Sequence, residues 1–206
     1  MKKIISALAV AAMLSCIPAK VGDALTEKEK QTAIQFLTVA EQNILAAVAG
    51  LTEAQLKFKP EEDKWSIEDN LKHIATTEIS LWQFTNGAIT APANPEKRAD
   101  IKMTDEQVMK NVADRSTKVK TMPEMEPQNT PYTSAEAALA SFKENRAKLI
   151  TYVKDTKADI RNHVAILPFG SFDCYQMILF IGAHSNRHLQ QINEVKAHPD
   201  FPKVVR

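Results

Sequence analysis

The chain has 206 residues, 44% hydrophobic and 25% charged, with a formal net charge of +1 and two cysteines. That length fills one good core and favours a single domain over two. The near-neutral balance, with no basic run, no Lys/Arg stripe interleaved with aromatics and no glycine-rich phosphate loop, leaves no sequence basis for nucleic-acid binding.

Residues 1–24 read as an export signal. Lys2 and Lys3 form the charged end, Ile4 to Ile17 an apolar stretch too short to span a bilayer comfortably, and Gly22 and Ala24 supply small residues for cleavage. Losing Lys2, Lys3, Lys20 and Asp23 with that segment leaves an essentially neutral domain over residues 25–206. A competing reading takes Met13-Leu14-Ser15-Cys16 as a lipoprotein signal with Cys16 as the lipid anchor. Both readings place the protein outside the cytoplasm, in the periplasm or cell envelope. Cys174 is then the one thiol of the domain, so no internal disulfide forms. At the head of an apolar helix it reads as a small buried hydrophobe.

The first helix spans Leu25 to Val48, with Ile34, Leu37, Ile44, Leu45 and Val48 on a helical period and Gly50 as its stop. LTEAQLKFKPEEDK follows as a polar loop carrying Pro60. Ser66 then caps a second long helix, with Glu68 and Asp69 in its first turn and a stripe of Ile67, Leu71, Ile74, Ile79, Leu81 and Trp82. Asn86-Gly87 marks its end. After the Pro- and Asn-containing passage 91–100, Thr104 and Gln107 stand in capping-box spacing before a short helix from Asp105 to about Lys120. Pro123, Pro127 and Pro131 break the next stretch. Thr133 and Glu136 suggest another capping box, opening a helix to about Lys154 with Ala137, Leu139, Phe142, Leu149, Ile150 and Val153 as apolar positions. Pro168 and Gly170 lead to Ser171 as the cap of the last helix, which His198-Pro199 stops. Four long amphipathic helices, with no strand alternation and no internal repeat, predict an all-α, antiparallel four-helix bundle. A short extra helix lies in the connection between helices two and three.

Within the last helix, His184 and His188 are one turn apart in HSNRH and project from one face, as two metal ligands do. His73, in the second helix, is a plausible third. Read alone, such histidines fit hydrogen-bonded packing roles as readily as ligation. His163 reads as a linker residue lining the same end of the bundle, and His198 as a solvated cap. Trp65 and Trp82 fit core positions better than a substrate cleft, and Asn186 and Arg187 carry no assigned role.

Two stretches resemble the DinB-like, damage-inducible superfamily of four-helix-bundle metalloproteins, over about Leu25 to Phe201. They are GLTEAQLKFKPEEDKWSIEDNLKHIATTE, where a proline loop precedes Trp-Ser and a histidine-bearing helix, and FDCYQMILFIGAHSNRHLQQI, with its His-x-x-x-His and Gln-Ile. The resemblance implies a metal-binding triad of His73, His184 and His188. It also implies a heterogeneous activity, since some members resemble low-molecular-weight-thiol S-transferases and others hydrolases. An export signal departs from the cytoplasmic members and weakens the case for a cytosolic thiol cofactor.

Three imidazoles leave one or more coordination positions for water or substrate on a divalent ion, with Zn²⁺, Ni²⁺ and Fe²⁺ all open. HSNRH lacks the carboxylate of an H-E-x-x-H protease. A two-His-one-carboxylate iron site needs an acid such as Glu78 to join. Two functions follow: a metal-dependent hydrolase or thiol transferase acting on a small molecule, or a non-catalytic metal- or ligand-binding bundle of the envelope. A homodimer stays open beside a monomer.

Overall fold

The structure is a computed structural model that describes residues 24–203; the expected export signal and Cys16 lie outside the described residues. Helix starts in this chain are written in side chains. Thr26 with Glu29, Thr52 with Gln55, Ser66 with Asp69 and Thr104 with Gln107 all form reciprocal capping boxes. They open α1 (Glu27–Val48), α2 (Glu53–Lys57), α3 (Ile67–Thr90) and α4 (Asp105–Ala113). Ser134 caps α5 (Ala135–Asp155) and Asp173 caps α6 (Cys174–Lys196). Gly50, at φ +71°, supplies the left-handed residue that ends α1.

Several boundaries differ from the sequence reading. The polar stretch after Gly50 holds the helix α2, because Thr52 and Gln55 satisfy its first amides. Helix α3 runs through Asn86-Gly87 to Thr90, since a single glycine facing solvent weakens a helix without breaking it. Helix α4 stops at Ala113, where Asp114 turns to accept from Ser116. Ser134 alone caps α5 through Ala137 N, so the Thr133/Glu136 box does not form. A β-hairpin also precedes α6: β1 (Val164–Leu167) pairs antiparallel with β2 (Gly170–Asp173) around Pro168-Phe169. Asp173, and not Ser171, therefore accepts from Gln176 N as the cap of α6.

The long helices α1, α3, α5 and α6 form the four-helix bundle, two running each way. Lys196 of α6 donates to Ala47 O and Tyr175 to Glu29 O, so α1 and α6 run in the same direction. Lys30 of α1 reaches Lys154 O and Thr156 O at the end of α5, so α5 runs against α1. Helix α3 runs with α5, as Glu78 meets Arg146 and Trp82 meets Tyr152. The connection 91–134 carries the chain back for this crossover and lays α4 on α6. Gly182 lets α1 approach α6, since a Cβ there would lie 2.8 Å from Phe36.

Two apolar clusters fill the bundle. One gathers Leu37, Leu149, Val153, Phe172, Met177 and Ile181, and the other Ile44, Ile67, Leu71, Ile74, Phe142 and Ile192. Phe142 is fully buried, so Phe142→Ala leaves a cavity and is expected to cost about 3–5 kcal/mol. Ile166→Ala, on the exposed hairpin, should stay within about 0.5 kcal/mol of wild type. Urea unfolding of both variants checks the contrast, and equal losses would contradict the assigned core.

Candidate metal centre

His73 lies in the second turn of α3, whose Ser66 cap orients the helix start, and His184 and His188 lie one turn apart on α6. Because α3 and α6 run in opposite directions, the three rings meet, their donor atoms all within 4.8 Å of one another. His184 Nε2 is 3.4 Å from His73 Nε2 and 3.2 Å from His188 Nε2. No carboxylate or thiol joins them among the described residues.

The other ring nitrogens decide the tautomers. His73 Nδ1 is 2.7 Å from the Met125 carbonyl, which accepts only, so this nitrogen carries the proton. Asn70 Nδ2 donates to Ser66 O at 2.8 Å, which turns its Oδ1 toward His188 Nδ1 at 3.0 Å and makes that nitrogen a donor as well. Thr77 Oγ1 donates to His73 O at 2.8 Å and presents a lone pair to His184 Nδ1 at 3.4 Å. The Nε2 atoms of His73 and His188 therefore point unprotonated lone pairs toward His184 Nε2, and with the His184 proton on Nδ1 all three lone pairs face one space. In that tautomer the three lone pairs repel one another unless a cation occupies their centre. Two nitrogens held about 2.0–2.1 Å from a tetrahedral ion lie roughly 3.3 Å apart, which the two separations from His184 Nε2 match.

Burial supports the neutral state. It holds the His73 and His188 imidazoles below their ordinary range and pushes His184 down to about 3, with the neighbouring imidazoles adding to the effect at His184 and His188. Trp65 covers the cluster, its ring 4.9 Å from that of His73 and stacked at 5.9 Å on that of His188. Beyond Trp65 opens a cleft of about 410 Å³ lined also by Lys59, Asp69, Lys72 and Pro127.

Among the other residues singled out from sequence, Glu78 does not join the cluster: both its oxygens bind Arg146, at 2.6 and 2.8 Å. Its charge is better satisfied by a buried guanidinium than by a fourth place at the site. His163 lies at the opposite end of the bundle, where its Nδ1 meets the Ala88 carbonyl, about 22 Å along α3 from His73. His198 is half-buried against Phe58. Arg187 ties the 114–117 segment beside the site through Asp114 O and Thr117 O, and Cys174 is buried with its thiol pushed up to about 12 by desolvation. Trp82 packs on Tyr152, away from the histidines. Sequence reasoning passed over Asn70, Thr77, Met125 and the lid role of Trp65. Asn70 and Thr77 stand three residues before and four after His73, a one-face spacing that pointed to them. Met125 contributes only a backbone oxygen, which leaves no sequence signal.

The profile of the DinB superfamily matches residues 37–192. The chain belongs to that superfamily. YuaE, an uncharacterized protein of Bacillus subtilis (strain 168), is 27% identical over 148 residues, spanning 71% of this chain and 86% of its own. The solved structure of YfiT from Bacillus subtilis superposes with a TM-score of 0.56 at 16% identity, covering 84% of this chain and 89% of that one. YfiT is described as a probable metal-dependent hydrolase with an unusual four-helix bundle topology. This DinB-superfamily chain shares its fold.

The buried neutral histidines make metal-free stability depend on pH. An unfolded histidine takes up a proton near its ordinary value of 6.5, while the folded imidazoles resist it. The unfolded state thus binds more protons below that pH, so stability falls as pH drops from about 6.5 toward the lower folded values, by up to about 4 kcal/mol per unit if all three contribute. Thermal melts of chelated protein from pH 7 to pH 5 should show this decline. A His184→Ala/His188→Ala variant should show a shallower one, and equal slopes would count against the assignment.

Proposed function

We propose that this protein binds a divalent metal ion through His73, His184 and His188 and acts as a metal-dependent enzyme of the hydrolase or thiol-transferase type on a small molecule. The observation that carries this reading is the convergence of the three Nε2 atoms, with the Nδ1 hydrogens of His73 and His188 committed to Met125 O and Asn70 Oδ1. The description of YfiT supports the hydrolase form. Imidazole donors suit Zn²⁺, Ni²⁺ and Fe²⁺ alike. A divalent ion held there supplies Lewis acidity, bringing the pKa of a coordinated water down to about 7 and lowering that of a thiol.

The chain's own residues prepare the centre. Asn70, Thr77 and the Met125 carbonyl orient the rings and keep each Nε2 free of a proton. Trp65 shields His73 and His188 from water and forms the wall shared with the adjoining cleft, the natural approach for a small substrate. One observation favours the non-catalytic alternative: Glu78, the acid the sequence offered as an added ligand, is sealed against Arg146 and is not free to move a proton.

Calorimetric titration with Zn²⁺ tests the site. His184→Ala and His188→Ala should each lose more affinity than the roughly 10- to 100-fold typical of losing a supporting hydrogen bond, and His73→Ala should weaken binding strongly. All three should stay helical by circular dichroism. Unchanged affinity would reduce the histidines to packing residues. Turnover of ester, amide or thiol-transfer substrates by the metal-loaded protein selects the enzyme, and tight binding without turnover selects the binding module.

Export is proposed on the sequence of residues 1–24 alone. Mass spectrometry of the mature protein should find Leu25 as its first residue. An intact Met1 overturns export, and a lipid-modified Cys16 selects the lipoprotein route.

A further inference from the structure

Arg146, at the middle of α5, is fully buried, and its partners come from the other three bundle helices. Nε and Nη2 donate to the two Glu78 oxygens of α3 at 2.6 and 2.8 Å. Nη1 donates to Leu37 O of α1 at 2.9 Å, and Nη2 also donates to Ser185 Oγ of α6 at 2.8 Å. Both side-chain contacts fall next to the histidine cluster in sequence. Glu78 follows Thr77, which binds His73 O and His184 Nδ1, and Ser185 follows His184 itself. The layer they form separates the two apolar clusters of the core.

Leu, Ile and Ala layers on facing helices tolerate small sliding and rotation, because many packings of similar volume are nearly equivalent. A bidentate guanidinium–carboxylate pair does not, since its charges are satisfied in one geometry only. A buried ion pair is also a poor source of net stability, as well-packed apolar residues of like volume often replace it without loss. Its use at this position is therefore to be sought in geometry. A metal site needs its donors held to about 0.5 Å, and here the donors come from two helices, α3 and α6, that Arg146 of α5 ties together through Glu78 on one side and Ser185 on the other.

We propose that the Arg146–Glu78 pair sets the register of α3 against α6, so that His73 meets His184 and His188: Arg146 is a positioning residue of the metal centre. This rests on the metal-binding reading above.

The test replaces both charges by apolar residues of similar volume, Arg146→Met with Glu78→Leu. No polar group is orphaned, because Ser185 still donates to Ile181 O and Leu37 O stays within α1. Co²⁺ serves as the probe, through its affinity and its visible absorption, which reports ligand geometry. The double variant should melt at or above the wild-type temperature. Its Co²⁺ affinity should fall roughly 10- to 100-fold, with the absorption bands weakened and shifted. Ser185→Ala, which cuts only the tie to α6, should shift the same bands by less at unchanged stability. A folded double variant with wild-type affinity and spectrum overturns the proposal. So does one that fails to fold, for then the pair serves the fold itself. Wild-type protein that binds no Co²⁺ would instead overturn the metal reading.

Discussion

A guanidinium sealed inside a helical bundle costs several kcal/mol in lost hydration, and that cost is offset only where each of its nitrogens finds a partner. Arg146 meets the condition by drawing on Glu78, Leu37 O and Ser185, so its own helix and three others must stand in one arrangement for the charge to be tolerated. Apolar packing above and below provides the driving force for folding, but it is non-directional. The ion pair adds direction at the level where α3 and α6 present their histidines.

The imidazole cluster obeys the same rule of partnered burial in a different form. Its Nδ1 atoms are satisfied by Met125 O, Thr77 and Asn70, while its Nε2 atoms are left facing one another. A core built only for packing has no need to gather three imidazole nitrogens with two of them fixed as acceptors. The second ring of hydrogen bonds is thus as informative as the histidines. It turns an ambiguous group of buried rings into a directed set of electron pairs, and Trp65 closes over them on the side of the cleft.

The opposite end of the bundle is stitched by charge nearer the surface. Arg161 pairs with Glu29 of α1, Asp105 of α4 and Asp173 at the start of α6, and lies over the Tyr175 ring. These contacts anchor the hairpin and the short helix α4, two parts of the long connections that touch α6. The crossover 91–134 therefore has a fixed end near Arg161. It also has a fixed passage beside the metal centre, where Arg187 of α6 donates to Asp114 O and Thr117 O, Arg115 pairs with Glu194 of α6 and the Met125 carbonyl accepts from His73.

Much was legible in the residues because it is local. Caps at Ser66 and Thr104 and helical periodicity around Leu37, Ile74 and Phe142 depend on neighbours within one or two turns, so the four long helices and the face shared by His184 and His188 follow from sequence alone. The hairpin 164–173 escaped because four-residue strands with few alternating positions carry too little pattern, and α4 was drawn too long because Asp114 ends it with a turn of its own. Whether His73 reaches the other histidines, whether Glu78 faces the site or Arg146, and which neighbouring helices run parallel are properties of pairs far apart in the chain. They are decided by how the buried charges and lone pairs of four helices can be satisfied together, and only the tertiary structure contains that solution.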